Sequence, residues 1–104
     1  MRVKKKKHGA ERLEACGDIV IKNLREQGST SEALFGNSNP LRIEIGCGKG
    51  DYTIDLAERN PSCNYIGVDI KGARLWKGAK YAEEHGLKNV AFLRTRIEFI
   101  ESLF

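Results

Sequence analysis

Cysteine and histidine are scarce in this sequence of 104 residues, which limits the chemistry it can support. The three cysteines, Cys16, Cys47 and Cys63, form no CxxC pair, and an odd number argues against a disulfide framework. The two histidines, His8 and His85, lie on distant segments, so no zinc-binding spacing is present. We therefore predict free thiols and no metal site.

Long hydrophobic runs are absent as well. No apolar stretch reaches the roughly 18–20 residues that cross a bilayer, and no apolar segment follows the basic N-terminus as it would in a secretory signal. With 40% hydrophobic and 31% charged residues, the composition is typical of a globular chain. We expect a cytoplasmic protein with no membrane partner.

Acidic residues are missing from the N-terminus, where Arg2, Lys4, Lys5, Lys6 and Lys7 carry five positive charges. The whole chain has a formal net charge of +4, so residues 8–104 carry −1. The basicity is therefore concentrated in residues 1–8. Such a block either keeps a terminus solvated or contacts nucleic acid.

The alternation of short apolar strands with amphipathic segments predicts an α/β fold, in which a parallel sheet is connected by right-handed crossovers. Residues 9–27 carry an apolar stripe at helical spacing, and residues 29–40 are rich in Gly, Ser and Asn, which predicts a loop. The predicted strands are 41–45, 64–70 and 90–93, and the predicted helices are 49–60, 72–85 and one that begins at 97.

A glycine-rich turn, Gly46-Cys47-Gly48-Lys49-Gly50, follows the first of these strands and opens a helix. A P-loop would need Ser or Thr after Lys49, and a dinucleotide fingerprint would need glycine where Asp51 stands. The spacing E-x-G-x-G-x-G instead resembles the S-adenosylmethionine loop of class I methyltransferases, and the positive charge of that ligand favours a carboxylate such as Glu44. A tight turn without a ligand is the alternative.

Asp69 supports the interpretation as a ligand site. It lies 19 residues after Gly50, at the end of the second predicted strand. A carboxylate at that position can accept hydrogen bonds from both ribose hydroxyls, and Ile70 beside it can pack on an adenine.

Several ordered segments resemble the bacterial tRNA (guanine-N7)-methyltransferase family across nearly the whole chain. The resemblance implies a Rossmann-like class I methyltransferase fold that transfers a methyl group from S-adenosylmethionine to N7 of a guanine in the tRNA variable loop. It is carried by the runs Phe35–Asn37, Asn39-Pro40, Ile43–Gly50, Asn60-Pro61, Asn64–Arg74 and Asn89–Ile100.

The resemblance also implies roles for individual residues. Arg96 stands where the family usually has an acidic adenine contact, and arginine cannot accept the hydrogen bond from the adenine amino group. The expected cofactor-binding residues are Glu44, Gly46, Cys47, Gly48, Gly50, Asp69, Ile70 and Arg96. The expected tRNA-binding residues are Arg2, Lys4, Lys5, Lys6, Lys7, Lys71, Arg74 and Lys77, the last three being spaced along one predicted helix.

The family's acidic Asp-Pro motif at the active site, and later segments that help to bind tRNA, are not found in these residues. We therefore expect a basic tail (1–8), an N-terminal helix and loop (9–40) and the first half of the cofactor domain (41–104), inactive alone and with no catalytic residue of its own. One alternative is a non-catalytic remnant that binds RNA through its basic tail. A nucleotide-dependent oxidoreductase is a third interpretation, against which Asp51 argues. The sequence leaves the oligomeric state open.

Overall fold

The computed structural model describes residues 19–22 and 24–104, and within them a parallel sheet lies between two layers of helices. The sheet contains β1 (Val20–Ile21), β2 (Leu41–Ile45), β3 (Asn64–Asp69) and β4 (Val90–Arg94). The helices are α1 (Leu24–Gln27), α2 (Ser31–Phe35), α3 (Asp51–Arg59), α4 (Gly72–Glu84) and α5 (Ile100–Leu103), with a 3-10 turn at Ile97–Phe99. The predicted α/β class is confirmed, and from residue 41 onward the order of strands and helices agrees with the prediction.

The strand order β1-β4-β3-β2 follows from two crossovers of the same hand. Helix α3 connects β2 to β3 and helix α4 connects β3 to β4, so the chain moves in one direction across the sheet. Right-handed crossovers then place both helices on the same face. Consistent with this, residues of both helices share one hydrophobic cluster.

The two faces of the sheet are covered by different helices. On the first face, Ile54 and Ala57 of α3 and Leu75 and Ala79 of α4 pack around Phe92. On the second face, α1, α2 and α5 cover the strands, and the cluster contains Ile21, Leu24, Ile66, Val68, Ala91 and Leu93. Strand β3 is buried along its whole length because it has a strand on each side and helices on both faces.

The N-terminal segment differs from the sequence prediction. Residues 9–18 of the predicted helix 9–27 lie outside the described residues, but Val20 and Ile21 form a strand that pairs with Phe92 and Leu93. Apolar residues at positions 19, 20 and 24 fit either a helix or an edge strand, and tertiary pairing with β4 decides between them.

The predicted loop 29–40 also contains a helix, α2. The Thr30 side chain accepts a hydrogen bond from the Ala33 N–H at 3.1 Å, and Gly36 ends the helix in the left-handed conformation with φ of 73°. Helix α2 has only five residues, so its caps and the packing of Leu34 and Phe35 stabilise it more than intrinsic propensity does.

Candidate functional site

The carboxyl ends of β2 and β3 are joined through the side chain of Asp69. Its Oδ2 accepts a hydrogen bond from the Gly48 N–H at 2.8 Å, and its Oδ1 accepts one from the Lys71 N–H at 3.0 Å. Burial raises the pKa of this carboxyl, but the N–H donors of Lys71, Gly48 and Ile70 and the charge of Arg74 outweigh it and leave the pKa below its ordinary value. Asp69 is therefore an ionised group that fixes the glycine turn.

The glycine turn itself consists of three left-handed glycines, Gly46, Gly48 and Gly50, with φ of 70°, 60° and 79°. The N–H groups of Gly46 and Cys47 both donate to the Val68 carbonyl, at 2.7 and 3.0 Å, which ties the turn to the end of β3. Side chains other than glycine rarely adopt this backbone conformation, so the three glycines are what permits the turn.

Helix α3 begins at the end of this turn. Gly50 is its N-cap residue and accepts a hydrogen bond from the Ile54 N–H at 2.8 Å, but no side chain caps the helix. The first N–H groups of the helix therefore lack a side-chain partner at the cap, and together with the turn they form the polar surface nearest to Asp69.

The ring of Phe92 packs against the glycine turn at Gly50. A Cβ atom added at Gly50 would lie 2.7 Å from the Phe92 ring, one at Gly67 would lie 3.0 Å from it, and one at Gly78 would lie 2.6 Å from the Lys49 carbonyl oxygen. The turn, strand β3 and helix α4 thus approach one another around a fully buried ring only because each has a glycine there.

Cys47 lies half-buried in the turn, beside Asp69 and Glu44. Burial, followed by the charges of Asp69 and Glu44, raises the pKa of the Cys47 thiol to about 12. The thiol is therefore protonated at neutral pH and unsuited to act as a nucleophile. The effect of the Glu44 charge on this thiol shows that the Glu44 carboxylate lies near the turn.

Two residues are expected near an adenine: Ile70, which follows the carboxyl end of β3, and Arg96, which follows that of β4. Ile70 is 49% exposed directly after Asp69, and the Nε–H of Arg94 donates to its carbonyl at 3.1 Å. Arg96 follows two residues later and is exposed. Sequence reasoning missed Arg94 because only the register, which pairs Asp69 with Arg94, shows that it can reach Ile70.

The predicted basic row on α4 begins beside this site. Lys71 is the N-cap of the helix, and Lys71, Arg74 and Lys77 are all exposed. Lys80, one step further, lies 5.2 Å from the centre of the Trp76 ring in a cation–π contact. The remaining predicted tRNA contacts, in residues 1–8, lie outside the described residues.

A search of the described part of the chain found no group of three or more His, Cys, Asp or Glu side chains that could hold a metal ion. Cys47 and Cys63, the two cysteines whose placement is described, are free. No helix among residues 19–22 and 24–104 is long and apolar enough to cross a membrane.

Comparison with known proteins finds many similar relatives, among them three that are named tRNA (guanine-N(7)-)-methyltransferase. The protein of Christiangramia forsetii is 59% identical over 78 residues, which are 75% of this chain and 35% of the relative. That of Bacteroides thetaiotaomicron is 50% identical over 78 residues, 75% of this chain and 31% of the relative. That of Streptococcus agalactiae is 41% identical over 93 residues, 89% of this chain and 44% of the relative.

The match therefore spans between about a third and just under half of the length of these curated relatives. A family profile described as "Putative methyltransferase" matches residues 38–104, which include the glycine turn, Asp69 and the exposed residues of α4. This agrees with the parallel sheet, the glycine turn after β2 and the carboxylate after β3. The chain belongs to this methyltransferase family.

Proposed function

We propose that this chain binds S-adenosylmethionine at the glycine turn and Asp69, and that it serves the N7-methylation of a guanine in tRNA. The single observation that carries the proposal is the hydrogen bond between the Asp69 carboxylate and the Gly48 N–H. This contact joins the carboxylate that we propose to bind the ribose to the turn that we propose to bind the rest of the cofactor. The names of the relatives supply the reaction and the substrate.

The surface of the turn supports the fit of this cofactor. Cβ atoms built at Gly46 and Gly48 would meet nothing within 4 Å, so open space lies above both residues. The Asp69 oxygens accept hydrogen bonds from the Gly48 and Lys71 N–H groups, on different oxygens, and a carboxylate has further lone pairs that can accept from ribose hydroxyls. Two carboxylates, Glu44 and Asp69, favour a cationic ligand over a pyrophosphate.

Each end of the cofactor has a residue suited to it. Glu44 is half-buried beside the turn and is proposed to meet the α-amino group. Exposed Ile70 is proposed to pack on the adenine, and Arg94 holds the Ile70 carbonyl in place. Arg96 carries a positive charge at the position proposed for the adenine edge, so backbone groups rather than its side chain would have to accept from the adenine amino group.

The proposed reaction requires the protein mainly to position the guanine and the methyl donor. Guanine N7 has an in-plane lone pair, so no side chain needs to remove a proton before it reacts. A bound S-adenosylmethionine would supply the methyl group from its sulfonium, and the residues of the turn with Asp69 would hold it. The turn and Asp69 hold one reactant, while the exposed row Lys71, Arg74 and Lys77 is placed to attract tRNA phosphates.

Titration calorimetry with S-adenosylmethionine tests cofactor binding. We expect saturable binding by the chain and at least a tenfold loss, about 1.4 kcal/mol, in Asp69→Asn. Asp55→Asn is the matched control, because Asp55 loses the same charge on the exposed side of α3. Absence of heat at millimolar cofactor, with circular dichroism showing a folded chain, would contradict the proposal.

A methyl-transfer assay on unmodified tRNA tests the reaction. Among the described residues β2 lies at the edge of the sheet, so only one side of the crevice beside the glycine turn is formed. We therefore expect binding without turnover by residues 1–104. Turnover would show that the described half of the crevice is sufficient.

RNA binding without catalysis is the second candidate, and the exposed row on α4 favours it. Its sign would be tRNA affinity that falls steeply with salt while no cofactor binds. Replacing Lys71, Arg74 and Lys77 by Ala together should then weaken binding about equally for all RNA sequences.

A further inference from the structure

The last residue pair between β3 and β4 lies directly beside the proposed adenine site. The register pairs Asp69 with Arg94, and the Thr95 N–H then donates to the Asp69 carbonyl at 3.1 Å. Ile70 follows the end of β3, and no backbone donor in the described part of the chain reaches its carbonyl. The Nε–H of Arg94 takes that place, at 3.1 Å. A side chain therefore extends the hydrogen bonding between the two strands by one residue, to Ile70.

The peptide unit between Ile70 and Lys71 is held at both of its polar groups. Its carbonyl accepts from Arg94, and its N–H, which belongs to Lys71, donates to Oδ1 of Asp69 at 3.0 Å. Because a peptide unit is planar, hydrogen bonds at its two ends fix its orientation, and with it the direction in which the Ile70 side chain leaves the backbone. The backbone contacts matter at this position because the Ile70 side chain is 49% exposed.

We propose that Arg94 is a positioning residue for S-adenosylmethionine, which holds Ile70 in the orientation that packs on the adenine. This inference rests on the proposed function, which supplies the cofactor and the contact between Ile70 and the adenine. Arg94 acts through the carbonyl of Ile70 and needs no contact of its own with the cofactor. Ordering Ile70 before the ligand arrives reduces the entropy that binding must lose, so the loss of this hydrogen bond weakens affinity.

The charge of Arg94 offers a different role, the attraction of RNA phosphates, because the residue is exposed. Two variants separate the hydrogen bond from the charge. In Arg94→Gln, the amide nitrogen stands as many bonds from the backbone as the Nε of arginine does, and it still donates to a carbonyl. In Arg94→Met, a side chain of the same length has no N–H donor. Both variants remove the positive charge.

Titration calorimetry with S-adenosylmethionine compares these variants of the 104-residue chain. We expect Arg94→Met to weaken binding about fivefold, the net effect of one hydrogen bond. Arg94→Gln should bind within about twofold of the original chain, because the donor is kept. Arg59→Met is the matched control, since it makes the same change at an exposed arginine of α3 that pairs only with Asp55 among the described residues. It should leave the affinity unchanged, and circular dichroism establishes that each variant is folded.

A double-mutant cycle with Ile70→Ala tests whether Arg94 acts through Ile70. Ile70→Ala alone should weaken binding about tenfold, because it removes apolar surface that the adenine covers. If Arg94 only orients that side chain, adding Arg94→Met to Ile70→Ala should weaken binding by less than about twofold more. A merely structural contribution of Arg94 would instead multiply the two losses, to about fiftyfold.

The outcomes distinguish this inference from the function on which it rests. A folded original chain that binds no S-adenosylmethionine at millimolar concentration contradicts both. Binding that Asp69→Asn weakens but Arg94→Met leaves unchanged overturns the positioning role alone. Equal losses in Arg94→Gln and Arg94→Met, or losses that multiply in the cycle with Ile70→Ala, overturn it as well.

Discussion

The carboxyl end of strand β2 contrasts with its outer side. At its carboxyl end, the chain enters a turn whose backbone is held by Val68 and Asp69 and whose underside rests on Phe92. On its outer side, β2 has no neighbouring strand within residues 19–22 and 24–104. We call the glycine turn together with the residues packed beneath it, around Phe92, the closed region; the outer side of β2 is the open edge.

The contrast shows how the proposed ligand site differs from a strand edge in physical terms. A turn that binds a ligand must keep its shape before the ligand arrives, because ordering it afterwards would reduce affinity. The close packing of Gly50, Gly67 and Gly78 around the Phe92 ring suits the turn to that role. A strand edge needs only a straight backbone and a side-chain pattern, since the partner supplies the remaining hydrogen bonds.

Gly50→Ala should give the largest loss of stability, because it disturbs the closed region in two ways. The left-handed conformation at Gly50 disfavours a side chain, and the added Cβ would lie 2.7 Å from the Phe92 ring. We expect a loss of about 3 kcal/mol in the free energy of unfolding, measured by urea denaturation.

Gly46→Ala separates the two causes of that loss. Gly46 has a similar φ of 70°, but a Cβ there would meet nothing within 4 Å. It should cost only the backbone strain, about 1 kcal/mol. Equal losses in the two variants would show that Phe92 does not constrain the turn.

Asp69→Asn should give an intermediate effect. The carboxylate accepts from the Gly48 and Lys71 N–H groups on different oxygens, whereas an amide must direct its own NH₂ at one of these donors. We expect a loss of about 2 kcal/mol at pH 7. Asp55→Asn, which changes an exposed ion pair with Arg59, should cost about 0.5 kcal/mol or less.

The pH dependence gives this variant a second readout. The folded pKa of Asp69 lies below the ordinary value of 3.8, so the unfolded chain takes up the proton first. The stability from Asp69 is fully present above that ordinary value and is lost as the pH falls through the folded pKa. The Asn variant should therefore lose less stability than the original chain as the pH falls below about 4. Parallel acid profiles would show that Asp69 does not carry the linkage.

For the closed region, the sequence predicted the strands and the carboxylate, but it did not predict the packing beneath the glycine turn. The structure agrees to within a residue with the predicted strands 41–45 and 90–93, and Asp69 lies at the end of β3 as predicted. These predictions succeed because they depend on local sequence patterns. The approach of Gly78 to the Lys49 carbonyl was not predictable, since it brings together residues from different elements. A glycine inside a helix carries no such information by itself.

The N-terminal segment was the least predictable. Strand β1 has two residues and exists through pairing with β4, so no periodicity could reveal it. The short helix α2 was obscured by the surrounding Gly, Ser and Asn residues, although Thr30 before Ser31 is a recognisable cap. The cofactor and tRNA contacts remain predictions. The proposed function depends on the cofactor binding next to Asp69.

Ile45→Thr should have the smallest effect on stability and tests the open edge. Ile45 is half-exposed at the end of β2, and Thr keeps the β-branched shape that strands favour. We expect a change within about 0.5 kcal/mol in the free energy of unfolding, measured by urea denaturation. A larger loss would mean that Ile45 belongs to the closed region, and the distinction between the carboxyl end of β2 and its outer side would then fail.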